Sequence, residues 1–241
     1  WKGIPSSSSH GLVGGLVGAV LLAAGSGHVV WGWPPEGHLV GVAKVLLALV
    51  LSPVLGFVVG YLVHKLSHLL TRAAHPRINQ KLRLAQYVTT AGLAFSHGAN
   101  DAQKSMGVLT LVLVLGGFIP HFEVPFWVML ACATAITAGI LSGGWRIVRT
   151  LGFAVFKVRP LHALDSQLTS GLVILSASMM GAPVSTSHVV ATSIMGIGAS
   201  ERPHRVHWGK AGEIATTWLI TLPASAAMAA LVLLALRPWV V

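Results

Sequence analysis

Long apolar segments separated by short polar stretches make up most of this chain. Several of the apolar segments reach the roughly 20 residues that a helix needs to cross the hydrocarbon core of a bilayer. This pattern predicts an all-α, multi-pass membrane protein. The predicted apolar segments are Ser6–Ala24, Leu39–Val63, Leu84–Phe118, Phe126–Gly144, His162–Ala199 and Ile214–Leu236.

Two of these segments are too long or too polar to be simple spans. Leu84–Phe118 has about 35 residues and contains the polar stretch Ser96–Ser105, so we expect a helix that is broken near Gly98. His162–Ala199 contains Gly181 and Pro183 near its middle. We expect a re-entrant hairpin there, with two complete spans as the alternative.

Composition and charge support a membrane protein. Of the 241 residues, 54% are hydrophobic and only 9% are charged, against about 25% charged in soluble domains. The net charge of +10 is concentrated between apolar segments, which indicates cytoplasmic loops rather than a nucleic-acid surface. We therefore expect a multi-pass protein of the inner (plasma) membrane. The basic clusters are Lys65, Arg72, Arg77, Lys81 and Arg83; Arg146, Arg149, Lys157 and Arg159; and Arg202, Arg205 and Lys210.

An eight-residue motif occurs twice, as GIPSSSSH at Gly3–His10 and GAPVSTSH at Gly181–His188. Each copy places a helix breaker and a run of hydroxyl side chains before an apolar helix. The first helix leads to a loop, Ser26–Gly37, without Lys or Arg, whereas the second leads to a basic loop. Helices that leave the two copies toward opposite faces are typical of the inverted-topology repeats of secondary transporters.

This reading divides the chain into three parts. Residues 1–37 form the end of a first inverted repeat, residues 38–83 form a spanning helix with a basic cytoplasmic linker, and residues 84–241 form the second repeat. Because the chain begins with Trp1 inside the repeated motif, we expect it to be an N-terminally truncated fragment.

The hydroxyl runs Ser6–Ser9 and Ser185–Ser187 are the first candidate for chemistry. Helix N-termini carry unpaired N–H groups and a partial positive charge, so two such ends that meet within the membrane favour an anion. Gln167, in the arm opposite the second run, is a further donor. The alternative is that these residues only cap their helices, since Ser and Thr are good N-caps.

Asp101, which follows Asn100, is the second candidate. A carboxylate within an apolar segment is costly and marks a functional site. Next to an anion it requires a cation, either Na⁺ held with Asn100 and backbone carbonyls or H⁺ on the carboxyl group. The alternative is an ion pair with Lys104, three residues further along the helix. Asp165 lies close to a basic loop, where it is expected to pair with Arg159.

Longer motifs resemble those of the inorganic phosphate transporter (PiT) family. FSHGANDAQKSMG at Phe95–Gly107 and GAPVSTSHVVATSIMGIGAS at Gly181–Ser200 are similar to its second-repeat signatures, and Gly3–Ala19 is similar to the late part of its first repeat. Arg159–Gly171 and Trp208–Pro223 resemble the compact bacterial branch.

The resemblance implies a phosphate symporter coupled to Na⁺ or H⁺, and not an enzyme. It places Asp101 and Asn100 at the coupling cation, with Asp101 as a ligand if the cation is Na⁺. Its expected partners are inorganic phosphate and membrane lipid, with a homodimer left open and no nucleic acid. The first-repeat copy of the GAND motif is missing, so we expect an incomplete site. The implied phosphate-binding residues are Ser7, Ser8, Ser9, Asn100, Gln167, Ser185, Thr186 and Ser187.

Three other functions stay open at this point. A symporter of another tetrahedral oxyanion, such as sulfate, needs the same kind of site. An intramembrane hydrolase would use Ser187, His188 and Asp101, although adjacent residues on a helix direct their side chains apart. A channel is the third alternative, but a closed polar pocket between two helix ends favours alternating access.

Overall fold

The structure is a computed structural model that describes residues 5–32, 40–75 and 77–240. Residues 239 and 240 are described without their side chains. The described residues form seven α-helices and no strand. A π-helical stretch, Thr150–Val155, extends α4, and 3₁₀ turns lie at Ser26–His28 and Pro203–Arg205. The helices are α1 (Ser8–Ala23), α2 (Gly41–Thr71), α3 (Ile78–Leu115), α4 (Phe126–Arg149), α5 (Pro160–Met179), α6 (Thr186–Glu201) and α7 (Trp208–Val240).

The all-α, multi-pass prediction is confirmed. Three of the described helices are long and apolar enough to cross a membrane, namely α2, α4 with its π-helical extension, and α7. Their outer faces carry exposed large apolar side chains, such as Leu62, Leu141 and Leu219. In water such surfaces would be unfavourable, whereas lipid solvates them.

The expected break near Gly98 is wrong, because α3 continues through it as one helix of 38 residues. At 1.5 Å per residue this helix is about 57 Å long, so it extends well beyond the hydrocarbon core at its basic end. A single glycine costs a helix only about 1 kcal/mol. The neighbouring Ala99, Ala102, Gln103 and Lys104 are good helix formers or neutral, and no proline interrupts α3.

The segment after α4 folds as the expected hairpin. α5 and α6 pack against each other and are joined by a turn in which Gly181 has φ +63°, a conformation that favours glycine. The far ends of the two arms also meet, since Glu201 pairs with Arg159 and lies 2.9 Å from His162 Nε2. Both arms therefore end at the same basic face. At 16 residues, α6 is about 24 Å long, which is shorter than the hydrocarbon core.

Asp165 does not pair with Arg159, contrary to expectation. Its Oδ2 lies 2.7 Å from Nδ1 of His64 on α2, and both side chains are almost fully buried. Asp165 points from α5 into the helix interface, whereas Arg159 precedes the helix and reaches Glu201 instead. The His64–Asp165 pair fixes the hairpin to α2.

The two motif helices exchange their packing partners. α1 is followed along the chain by α2 but packs against α7, while α6 is followed by α7 but packs against α2. Glycine permits the close approach in both cases. A Cβ at Gly18 would lie 2.2 Å from the carbonyl oxygen of Ala226, and one at Gly196 would lie 2.1 Å from that of Phe57.

Some sequence-based expectations fall outside the described residues. These are Gly3 and Ile4 of the first motif copy, and residues 33–37 of the loop expected on the external side.

Candidate functional site

The tips of α1 and α6 meet at the centre of the fold. Ser9 Oγ donates a hydrogen bond to the carbonyl oxygen of Val184 at 3.0 Å, and Ser187 Oγ donates one to the carbonyl oxygen of Ser6 at 2.9 Å. Ser9 and Ser187 hold the same position in the two motif copies, as do Ser6 and Val184. The two contacts are therefore related by a two-fold pseudosymmetry, which confirms the inverted repeat.

One serine of each run serves as the helix cap. Ser7 Oγ accepts a hydrogen bond from the backbone N–H of His10 at 3.1 Å, and Ser185 Oγ accepts one from that of His188 at 3.4 Å. The capping alternative is thus correct for these two residues. Because one hydroxyl is enough for each cap, the neighbouring hydroxyls in both runs are available for other contacts.

α3 passes the two tips and brings Asn100 and Asp101 to them. Thr186 Oγ1 donates a hydrogen bond to Asp101 Oδ2 at 3.0 Å. Asn100 Nδ2 donates one to the carbonyl oxygen of Val184 at 3.1 Å, and its Oδ1 lies 3.5 Å from Ser178 Oγ on α5. The two signatures recognised in the sequence, about 80 residues apart, therefore form one polar cluster.

A lysine and a histidine of α3 flank Asp101. Lys104 Nζ lies 3.1 Å from Asp101 Oδ1, as the ion-pair alternative expected, but it also donates to Ser9 Oγ at 2.7 Å and to the carbonyl oxygen of Val184 at 2.6 Å. His97 Nε2 lies 3.2 Å from Asp101 Oδ2. The contact of His97 was missed, although its spacing of four residues from Asp101 places both side chains on one helix face.

A cavity of about 650 Å³ lies beside this cluster, between α1, α3 and α4. Its polar wall is formed by Ser8 and by four residues of α3, and its apolar wall includes Ile136 and Ile140 of α4. The volume is in the usual range for small-molecule sites. The polar residues of α3 at the cavity are His97, Asp101, Lys104 and Ser105.

Gln167 is the one predicted binding residue that the structure places elsewhere. Its Oε1 accepts a hydrogen bond from Thr89 Oγ1 at 2.6 Å, about twelve residues before Asp101 on α3. Gln167 also lies about 20 Å from the hairpin turn along α5, given 1.5 Å per residue. In this structure it therefore cannot contact a ligand held by the two helix tips.

The motif histidines support packing, as expected for these positions. His10 Nδ1 lies 3.1 Å from the carbonyl oxygen of Trp218, and the ring of His188 stacks on that of Trp218 with centroids 3.8 Å apart. Ser187 donates to Ser6 rather than to a histidine. The hydroxyl, imidazole and carboxylate that a hydrolase needs are thus not aligned.

The Val184 carbonyl oxygen, which accepts from three donors, had no signal in the sequence. A backbone carbonyl is present whatever the side chain, so only the fold shows which one is free. The residue lies in the turn between α5 and α6, just before the helical N-cap Ser185, where its carbonyl is not used by a helix.

Comparison with known proteins agrees with this architecture. The model of the phosphate transporter family matches residues 1–229. The chain is 39% identical to a "probable low-affinity inorganic phosphate transporter" of Bacillus subtilis, over 96% of this chain and 68% of that protein. It is 40% identical to a protein of the same description from Rhizobium meliloti, over 95% of this chain and 67% of that one.

A solved structure described as "The sodium-dependent phosphate transporter" has the same fold. It superposes with a TM-score of 0.81 at 23% identity, and the match covers 98% of this chain and 74% of that one. These relatives are transporters and not enzymes, and a multi-pass protein of this kind resides in the plasma membrane of bacteria. The chain belongs to the phosphate transporter family.

Proposed function

We propose that this chain forms part of a secondary transporter that carries inorganic phosphate together with Na⁺ or H⁺. The observation that carries the proposal is the meeting of two serine-tipped helix N-termini beside the partly buried carboxylate of Asp101. Secondary transporters with inverted repeats bind anionic groups at such helix ends, near the middle of the membrane.

The surroundings of the tips suit a tetrahedral oxyanion. Two helix N-termini present backbone N–H groups and positive dipole ends, and hydroxyl side chains add donors. Lys104, at the wall of the cavity, supplies a cationic group close by, and His97 adds an imidazole ring. The residues that we assign to phosphate binding are Ser7, Ser8, Ser9, Asn100, Ser185, Thr186 and Ser187.

A coupling cation follows from the charge of Asp101. A carboxylate next to the phosphate repels it, and in a low-dielectric interior that repulsion is large. A cation that enters with the phosphate removes the repulsion. Phosphate and cation then favour each other's binding, which is the thermodynamic basis of coupled transport.

The substitution Asp101→Asn in the full-length transporter tests this role. We expect cation-driven uptake of labelled phosphate to fall on the order of a hundredfold, because the amide retains the size of the side chain but not its charge. Glu213→Gln is the matched control, since Glu213 is exposed on α7 and pairs only with Lys210. It should leave uptake unchanged.

Competitors in the same assay address the choice of anion. Arsenate has nearly the shape and protonation of phosphate and should compete, whereas sulfate should not. Uptake by Asp101→Asn at the level of the unsubstituted protein would remove Asp101 from the coupling mechanism. Equal competition by sulfate would favour the alternative of a general oxyanion transporter.

A further inference from the structure

The ammonium group of Lys104 is held by oxygen atoms from three separate parts of the fold. Nζ contacts the hydroxyl of Ser9 on α1 at 2.7 Å, the carbonyl of Val184 before α6 at 2.6 Å and the carboxylate of Asp101 on its own helix at 3.1 Å. The side chain is only 13% exposed. Two of these three contacts bridge 95 and 80 residues of sequence.

A carboxylate, a free backbone carbonyl and a hydroxyl together form the all-oxygen ligand set that hard metal cations take. The carbonyl oxygen of Val184 is the most heavily used acceptor of this ligand set. It accepts hydrogen bonds from Ser9, Asn100 and Lys104, although a carbonyl oxygen has only two lone pairs. The carboxylate of Asp101 and this carbonyl oxygen both attract a cation, and the ammonium of Lys104 supplies the positive charge between them.

We propose that Lys104 is a tethered cation that occupies the position between Asp101, Val184 and Ser9 where a coupling Na⁺ would otherwise bind. The ammonium thereby excludes Na⁺ from this position, which leaves H⁺, or a Na⁺ bound elsewhere in the site, as the coupling cation. This inference rests on the proposed function and deepens it, because it makes Lys104 the residue that decides the ion specificity of this half of the site.

A simple ion pair along α3 does not explain the geometry. A lysine three residues after an aspartate reaches it on the helix surface without help from other elements. Here the side chain also extends to the tips of α1 and α6, and ordering a lysine costs up to about 2 kcal/mol of side-chain entropy. The contacts to Ser9 and Val184 offset that cost, and they place the charge at the junction of all three helices.

Removing the ammonium leaves an oxygen cage without a cation. Lys104→Met keeps most of the length and volume of the side chain but not its charge, and Lys104→Ala opens the position fully. In both variants Na⁺ is expected to take the vacant position, and K⁺, which has the same charge, is the comparison cation. Lys104→Arg keeps the charge and should keep Na⁺ out.

The experiment compares the thermal unfolding of the full-length protein in Na⁺ and in K⁺ at equal ionic strength. Ligands that bind only the folded state raise its melting temperature. We expect the rise in Na⁺ relative to K⁺ to be larger by about 2–4 °C or more in Lys104→Met and Lys104→Ala than in the unsubstituted protein. Lys81→Met, an exposed lysine at the basic end of α3, and Lys104→Arg are the controls and should show no such gain.

Each outcome decides the question. A Na⁺-specific gain in the Met and Ala variants, including cooperative unfolding in Na⁺ alone, supports the proposal. The same Na⁺-to-K⁺ difference as in the unsubstituted protein, or no folded protein in either salt, overturns it. Phosphate uptake by the unsubstituted protein is measured separately, so a failure of the proposed function appears there and not in the unfolding comparison.

Discussion

At the scale of single residues, the site depends on a backbone carbonyl as much as on side chains. Val184 accepts hydrogen bonds from a serine, an asparagine and a lysine that come from two different helices. The hydroxyl groups around it have two different roles. Ser7 and Ser185 cap their helices, while Ser9, Thr186 and Ser187 connect elements. A run of hydroxyls allows both tasks to be met in one turn.

Thr186 gives a residue-scale prediction. Its hydroxyl donates to Asp101 Oδ2, and a hydrogen bond to a charged group contributes about 1.5–3 kcal/mol. Thr186→Val keeps the shape of the side chain but removes the donor, so phosphate uptake should fall by about tenfold or more. Initial rates of labelled phosphate uptake measure the effect.

Two further variants complete that comparison. Thr186→Ser retains the hydroxyl and should keep most of the uptake. Thr137→Val is the matched control on α4, because the hydroxyl of Thr137 is exposed and bonds only to the carbonyl of Ala133 on its own helix. Normal uptake by Thr186→Val would show that this contact is not needed.

Most residues of the polar cluster at the helix tips could be predicted from the sequence, and the exceptions have physical reasons. The repeated motif and the GAND stretch identified Ser9, Asn100, Asp101 and Thr186. Gln167 was assigned from its place in the arm opposite the second hydroxyl run and from the resemblance, and neither shows which residues of α5 reach the two helix tips. The carbonyl of Val184 could not be found, because every residue has one.

At the scale of helices, close packing depends on a few glycines that match between the repeats. Gly18 and Gly196 hold corresponding positions in α1 and α6, and each lies against the backbone of a long spanning helix. Within a membrane the hydrophobic effect does not bring helices together, so small residues that let backbones approach are important for association.

The substitution Gly196→Ala tests that packing. The new Cβ would lie 2.1 Å from the carbonyl oxygen of Phe57, and α6 would have to move away from α2. We expect a loss of about 1–3 kcal/mol of stability, seen as a lower melting temperature in detergent. Gly92→Ala on α3 has open space around its Cβ and should be neutral or slightly stabilising. Equal melting temperatures for both variants would contradict this account.

The apolar pattern predicted where the helices lie, but it did not predict that α3 is continuous. Each predicted apolar segment overlaps one of the helices, or two in the hairpin, but only α1 lies wholly within its predicted bounds. The break near Gly98 was inferred from polarity and length, but α3 buries its polar residues against the tips of α1 and α6 and therefore has no need to unwind. Tertiary contacts of this kind cannot be read from one segment alone.

At the scale of the whole molecule, contacts join α2 and α3 to the basic face at which both arms of the hairpin end. Glu201 joins the two ends of the hairpin, His64 joins α2 to α5, and Gln86 Nε2 donates to the carbonyl of Pro160 to join α3 to the same face. The clustering of Lys and Arg at this face predicts that it lies in the cytoplasm.

Labelling of single cysteines tests the orientation. In a Cys132→Ala background, Gly27→Cys in the loop after α1 should react with a membrane-impermeant maleimide added outside intact cells. Gly209→Cys, at the start of α7, should react only after the membrane is opened. Both glycines have open space around a new Cβ, so the maleimide should reach either cysteine equally well from its own side of the membrane. The reverse labelling pattern would invert the proposed orientation.

The exchanged packing of α1 and α7 also bears on how the protein is made. The contact between His10 and Trp218 joins residues 208 apart in sequence. At a synthesis rate of 5–20 residues per second, about 10–40 s separate the emergence of the two residues from the ribosome. During that interval α1, short and with a polar tip, lies in the translocon or the bilayer without its partner. We therefore expect late truncations, which lack the partner of α1, to expose this helix to membrane quality-control proteases.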